Sequence, residues 1–198
     1  MTNYSAEPTV TELRLEPGQH ALFGYGSLLS IASLERTLGR TYDGPWFLER
    51  ITGWRRGWDV QMPRHSWRYL KDGQVVVPDR VLYLNLREQV GSHVNGALFV
   101  VSSEELKRFD EREWIYRRQQ INSDLQGVRV FGGAAWTYVA LDEYVWRDPT
   151  QPPAAIIRQT YLDILNRAHA ELGEAFAIEY VETTDPVPGH LVVDDFAV

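Results

Sequence analysis

The stretch His20-Ala-Leu-Phe-Gly-Tyr-Gly-Ser-Leu-Leu-Ser30 decides how the rest of the chain is read. Its apolar first half, His20 to Tyr25, predicts a short buried strand. Gly24 and Gly26 flank Tyr25, and glycine lets a backbone turn tightly or approach a ligand closely. A helix is expected next, over SIASLERTLG. Ser30 is its N-cap candidate, Ile31, Leu34 and Leu38 share one face, and Gly39 suits the stop. A strand that ends in glycines and hands over to a helix can present free N–H groups to an anion or a small polar group. A plain tight turn is the alternative. The third glycine of a dinucleotide fingerprint is missing, with Leu29 in its place, and so is the lysine of a phosphate-binding P-loop.

Outward from this stretch the chain alternates strands with few helices. Residues 1–19 read as a polar lead-in containing the Pro17-Gly18 turn, and residues 20–198 as a single domain. Strand-formers run from Trp46 to Val60, broken at Gly53 and Gly57. Residues 61–79 are polar and carry Pro63, Lys71-Asp-Gly73 and Pro78; they read as a long loop able to act as a lid. Strands are expected at Arg80–Leu86, Val94–Val101, Trp114–Ser123 and Val128–Leu141. Asp148-Pro-Thr-Gln-Pro-Pro153 interrupts, a helix is expected from Ala154 to Leu172, and a last short strand from Phe176 to Val181. This pattern predicts an α+β fold, a small mixed β-barrel with flanking helices.

The segment SSEELKRFDEREW places the chemistry. Ser102-Ser-Glu-Glu105 has the form of a capping box and opens a helix reaching about Glu113. Leu106 and Phe109 mark its apolar face. Glu113 lies four residues beyond Phe109 and seven beyond Leu106, so it falls on that same face. Burial disfavours the charged form of a carboxylate, and a raised pKa suits a general acid/base near neutral pH. Two structural alternatives stand beside this one. The helix frays before Glu113 and leaves it in water, or the carboxylate is tied up with Arg117 or Arg118.

Composition removes other classes. The 198 residues include no cysteine, which excludes disulfides, thiolate metal sites and a cysteine nucleophile. The 20 Lys+Arg against 27 Asp+Glu give a net charge of −7, unfavourable for a nucleic-acid partner despite the basic-aromatic Trp54-Arg-Arg-Gly-Trp58. No apolar run suits a membrane span or a signal peptide, so a cytoplasmic location and no membrane partner are expected. The five histidines show no ligand spacing, and Gly-Tyr-Gly-Ser-Leu lacks the form of a nucleophile elbow. No metal and no cofactor are expected.

FGYGSL at the end of the first strand, followed much later by FDEREW and Tyr116, resembles the gamma-glutamyl cyclotransferase superfamily, with its glutathione-specific and gamma-glutamylamine branches. The order of elements matches from about residue 20 to 182. The resemblance implies a small barrel fold with the site in a cavity at its mouth and a small-molecule γ-glutamyl substrate. It implies Glu113 as the catalytic acid/base and Tyr25, Gly26, Ser27 and Leu28 as substrate contacts, with Tyr116 and Tyr138 where members often carry tyrosine. The implied reaction releases 5-oxoproline and an amine. Two departures bear on this: Trp114 follows the glutamate where glycine is frequent, and Leu28 stands where some branches have asparagine. A non-catalytic binding module on the same fold and an amide hydrolase using Glu113 to activate water are the competing functions.

Overall fold

A computed structural model of the chain describes residues 10–63, 66–146 and 155–197. The expected break at 148–153 lies outside these residues, as do positions 64 and 65 of the expected loop. The organising element is β6 (Arg80–Ser102), a strand of 23 residues. Along one edge it pairs antiparallel with β3 (Trp46–Met62) over nearly its whole length. Its other edge is shared. The start of β6 takes the parallel strand β10 (Ala155–Arg158), and its end takes the antiparallel strand β2 (Gln19–Gly24). The sheet continues from β2 to β9 (Ala135–Ala140) and β7 (Tyr116–Gln120), and from β10 to β11 (Val192–Val193).

β2 is apolar at consecutive positions because both of its faces are covered. Ala21 and Phe23 pack into the inner core with Ile51, Leu82 and Leu98. Leu22 points the other way, against α1 (Ile31–Leu38) and α2 (Ser103–Arg112), among Leu34, Leu38, Leu106 and Phe109. Both helix starts follow their sequence signals. Ser30 caps α1, and Ser102 with Glu105 forms a complete capping box on α2. Gly39 closes α1 in the left-handed conformation, at φ 71°.

The α+β class holds. The sheet curls in the manner of a barrel, but among the described residues no continuous ladder joins its β7 edge to β3. Isolated bridges at Ile51–Leu125 and Val60–Val145 stand in that gap.

Four local expectations change. The lead-in contains β1 (Thr11–Arg14), paired in parallel with β8 (Val128–Phe131). Residues 61–79 are not a plain loop: they carry the hairpin β4 (Trp67–Lys71) and β5 (Gln74–Val76), to which β12 (Asp195–Ala197) adds. The expected helix from 154 begins later, as α3 (Gln159–Leu172), because β-branched Ile156 and Ile157 lie in β10. The stretch Phe176–Val181 lies within the helix α4 (Glu174–Glu182), whose buried Phe176 and Tyr180 are one helical turn apart. No helix of the described residues is long and apolar enough to cross a membrane.

Candidate active site

The backbone leaves β2 at Gly24, passes Tyr25 and Gly26, and enters a single helical turn at Ser27–Leu29. Leu29 and Ser30 donate their N–H groups back to Gly26 and Ser27. The N–H groups of Ser27 and Leu28 come first in the turn and have no backbone acceptor among the described residues. Gly26 leaves room for α3: a Cβ there would stand 2.9 Å from the Tyr161 hydroxyl, and that ring would have to shift. Tyr25 is anchored at both ends. Its hydroxyl donates to the Tyr138 carbonyl at 2.8 Å, and its carbonyl accepts from the Tyr180 hydroxyl at 2.7 Å.

Glu113 is the C-cap of α2, its N–H still bonded to the Phe109 carbonyl at 2.8 Å. The helix therefore does not fray before it. The carboxylate turns inward, with 18% of the side chain exposed. Its partner is neither Arg117 nor Arg118 but Arg112, whose Nε lies 3.1 Å from Oε1. Arg118 pairs instead with Asp110, and Arg117 donates to Gln119. Burial pushes the Glu113 pKa above the ordinary glutamate value, and the Arg112 charge opposes that rise.

These two segments face one cavity of about 380 Å³, a size suited to a small molecule. Every sequence-derived site residue lines it: Tyr25, Gly26, Ser27, Leu28, Glu113, Tyr116 and Tyr138. The tyrosines contribute ring surface more than free hydroxyls. Tyr116 donates to the Leu84 carbonyl at 2.8 Å, and Tyr138 to Asp110 at 2.9 Å. Burial raises the phenol pKa values of Tyr25, Tyr116 and Tyr161, which keeps these groups protonated. Trp114 is not among the described lining residues; it is 40% exposed and packs edge-on against Tyr144.

The family model described as "Gamma-glutamyl cyclotransferase, AIG2-like" matches residues 22–159. The chain belongs to this family. A search of curated proteins by sequence finds no match. Among solved structures, the uncharacterized protein loc79017 from Homo sapiens is similar at 13% identity, over 86% of this chain and 90% of that one, with a TM-score of 0.56. A gamma-glutamyl cyclotransferase structure is similar at 13% identity and the same coverages, with a TM-score of 0.55. YkqA from Bacillus subtilis is similar at 18% identity over 81% of this chain and 52% of its own, with a TM-score of 0.53. At these identities the likeness is one of fold.

Within this cyclotransferase-family fold the cavity also holds residues that the sequence did not point to. Arg112 ties the site together. Its guanidinium donates to the Ser27 hydroxyl at 2.7 Å, the Ser33 hydroxyl at 3.1 Å and the Thr37 hydroxyl at 2.6 Å, besides pairing with Glu113. Tyr161 of α3 brings a hydroxyl with no hydrogen-bond partner among the described residues. Met62 and Trp67, from the supposed loop, form part of the wall. Of the Trp54–Trp58 run, Arg55 pairs with Asp185 and Arg56 is wholly buried, so neither reaches the cavity.

Proposed function

We propose that this protein is a gamma-glutamyl cyclotransferase, converting a γ-glutamyl amine or peptide into 5-oxoproline and the free amine. The observation that carries the reading is that the Glu113 carboxylate and the Tyr25–Leu28 segment line one cavity. Family membership supports the same assignment.

The nucleophile is part of the substrate. Its α-amine attacks its own γ-carbonyl, a five-membered lactam closes, and the carbon–nitrogen bond to the leaving amine breaks. Holding the chain folded back supplies much of the rate, as in any intramolecular reaction. The proton balance needs one group. Glu113 takes one proton from the α-ammonium, gives it to the departing nitrogen, and as a carboxylate again takes the second proton that the ring nitrogen must lose, passing it to the released amine or to water. Its raised pKa suits both halves of that exchange. The lack of a backbone acceptor for the Ser27 and Leu28 N–H groups supports a role for them in meeting charge that develops on substrate oxygen. Burial keeps the phenols of Tyr25, Tyr116 and Tyr161 protonated, which makes them poor bases beside Glu113.

The test is a panel of γ-glutamyl compounds assayed for 5-oxoproline, with the Glu113→Gln variant as control. Lactam from the parent and very little from the variant supports the reading. Release of free glutamate in place of the lactam would identify a hydrolase. Bound substrate with no product from either protein would identify a binding module.

A further inference from the structure

The cavity has two chemically different ends. At one, Ser27, Ser33 and Arg112 form a hydrogen-bonded group, and Arg36 of α1 lines the same cavity. Among the described residues no carboxylate pairs with Arg36, so this end holds a cation able to meet an anionic group. Glu113 follows Arg112 directly. Beyond it the wall becomes Met62, Trp67, Tyr83, Leu84 and Ile115. Ile115 and Met62 belong to one apolar cluster, while Tyr83 stands edge-on to Tyr161 at 5.0 Å.

Among the described lining residues the cation at this second end is Arg158, and it is already satisfied. Arg158 donates to Asp195 at 2.9 Å, to the Tyr83 hydroxyl at 3.1 Å and to Thr160 at 2.7 Å. The Asp195 side chain is wholly buried beneath it, and the Trp67 indole covers the guanidinium with its centroid 3.2 Å from Cζ. A carboxylate arriving here would have to compete with Asp195. An ammonium would meet Arg158 itself and apolar walls. Removing either charge from water without a partner is costly, whereas an apolar body loses only unfavourable hydration.

We propose that the Met62–Trp67–Tyr83–Ile115 end is a leaving-group subsite for an uncharged amine with an aromatic or branched aliphatic body. The inference rests on the cyclotransferase reading and names the substrate class of that same site. The α-amino and α-carboxylate groups of the glutamyl moiety occupy the Ser27–Arg36 end, which leaves the scissile amide beside Glu113.

The experiment compares kcat/KM for 5-oxoproline release from γ-glutamyl benzylamide, γ-glutamyl isobutylamide, glutathione and Nε-(γ-glutamyl)lysine. The expected result is a preference of roughly 10- to 100-fold for the two apolar amides, the range by which an apolar pocket discriminates. Two variants localise it. Trp67→Ala raises KM for the benzylamide more than it raises KM for glutathione. Met62→Lys, at a half-buried position that tolerates a long polar side chain, shifts the preference toward glutathione, whose leaving peptide is anionic. Equal rates across the panel, or a preference for glutathione by the unaltered protein, overturn the subsite and leave the cyclotransferase reading intact. No lactam from any compound overturns that reading, and the subsite with it.

Discussion

Two arginines show how differently one side chain serves this fold. Arg56 is wholly buried. It donates to the carbonyls of Tyr180 and Asn95 and to the Thr184 hydroxyl, with its guanidinium 3.6 Å from the Tyr180 ring centroid. Among the described residues its hydrogen-bond partners include no carboxylate, and burial lowers its pKa. Arg112 is 28% exposed, donates to three hydroxyls, and touches the carboxylate of the cavity. One arginine fastens the end of α4 to the sheet. The other couples α1 and the Ser27 turn to an ionisable group. Partners separate the two roles: neutral acceptors make a strut, and a titrating acid makes a control on chemistry.

The comparison breaks most readily at Glu113. Glu113→Gln keeps the shape and removes the proton carrier, so lactam formation should fall by about 10²- to 10⁴-fold. Stability should not fall with it. A carboxyl whose folded pKa is raised stabilises the fold below the unfolded pKa and loses that contribution as pH rises through the folded value. The uncharged amide avoids the loss, so the variant's Tm at pH 7 should match or exceed the parent's. A full rate in the variant would remove Glu113 from the chemistry.

Arg56→Ala should do the reverse. It leaves the buried oxygens of Tyr180, Thr184 and Asn95 short of a donor and opens a void. A loss of about 3 kcal/mol or more is expected from denaturant unfolding. Turnover per folded molecule should stay close to that of the parent, since Arg56 does not line the cavity. A large kcat defect at unchanged stability would contradict its role as a strut.

Arg112→Ala sharpens the contrast by a smaller effect. Its charge holds the Glu113 pKa down against burial, so its removal should move the acid limb of the kcat/KM profile to higher pH. Arg112→Lys should return the limb toward the parent position while restoring only part of the bonding to Ser27, Ser33 and Thr37. If Arg112→Ala lowers the rate with the limb unmoved, Arg112 is a strut like Arg56.

What the sequence could and could not show follows from how local each interaction is. The inward turn of Glu113 was legible because Leu106, Phe109 and Glu113 lie within two helical turns. The caps at Ser30 and Ser102 were legible for the same reason. The partnership of Arg112 with Ser27, Ser33 and Thr37 was not, since it spans 75 to 85 residues and leaves no periodic trace. The β4–β5 hairpin was hidden by short strands with no buried residue, although its turn carries a signal. Asp72 and Gly73 adopt φ 52° and 76°, as Asp-Gly pairs do in tight hairpins. The expected strand at FAIEYV rested on its strand-forming Phe, Ile, Tyr and Val, which α4 accommodates as well. The four-residue spacing of Phe176 and Tyr180 was the better guide.

The smallest effect concerns the neighbourhood of Arg56. His169 is half-buried against Tyr180, with ring centroids 4.2 Å apart, and its buried Nε2 has no hydrogen-bond partner among the described residues. Burial, aided by the Arg56 charge, pushes its pKa down to about 4. The unfolded chain takes up that proton near the ordinary histidine value of about 6.5, so this contribution to stability is intact above that pH and is lost as pH falls toward 4. Solvent around the half-exposed ring reduces the effect. Glu113 and Asp59, whose pKa values are raised, act in the opposite direction over part of the same window. The difference between parent and variant therefore isolates the histidine. His169→Phe should give a shallower fall of the urea midpoint between pH 6.5 and pH 4.5 than the parent shows. Identical slopes would mean that the ring takes up its proton beside Arg56 without cost, which would contradict a dry, positively charged interior on that side of the fold.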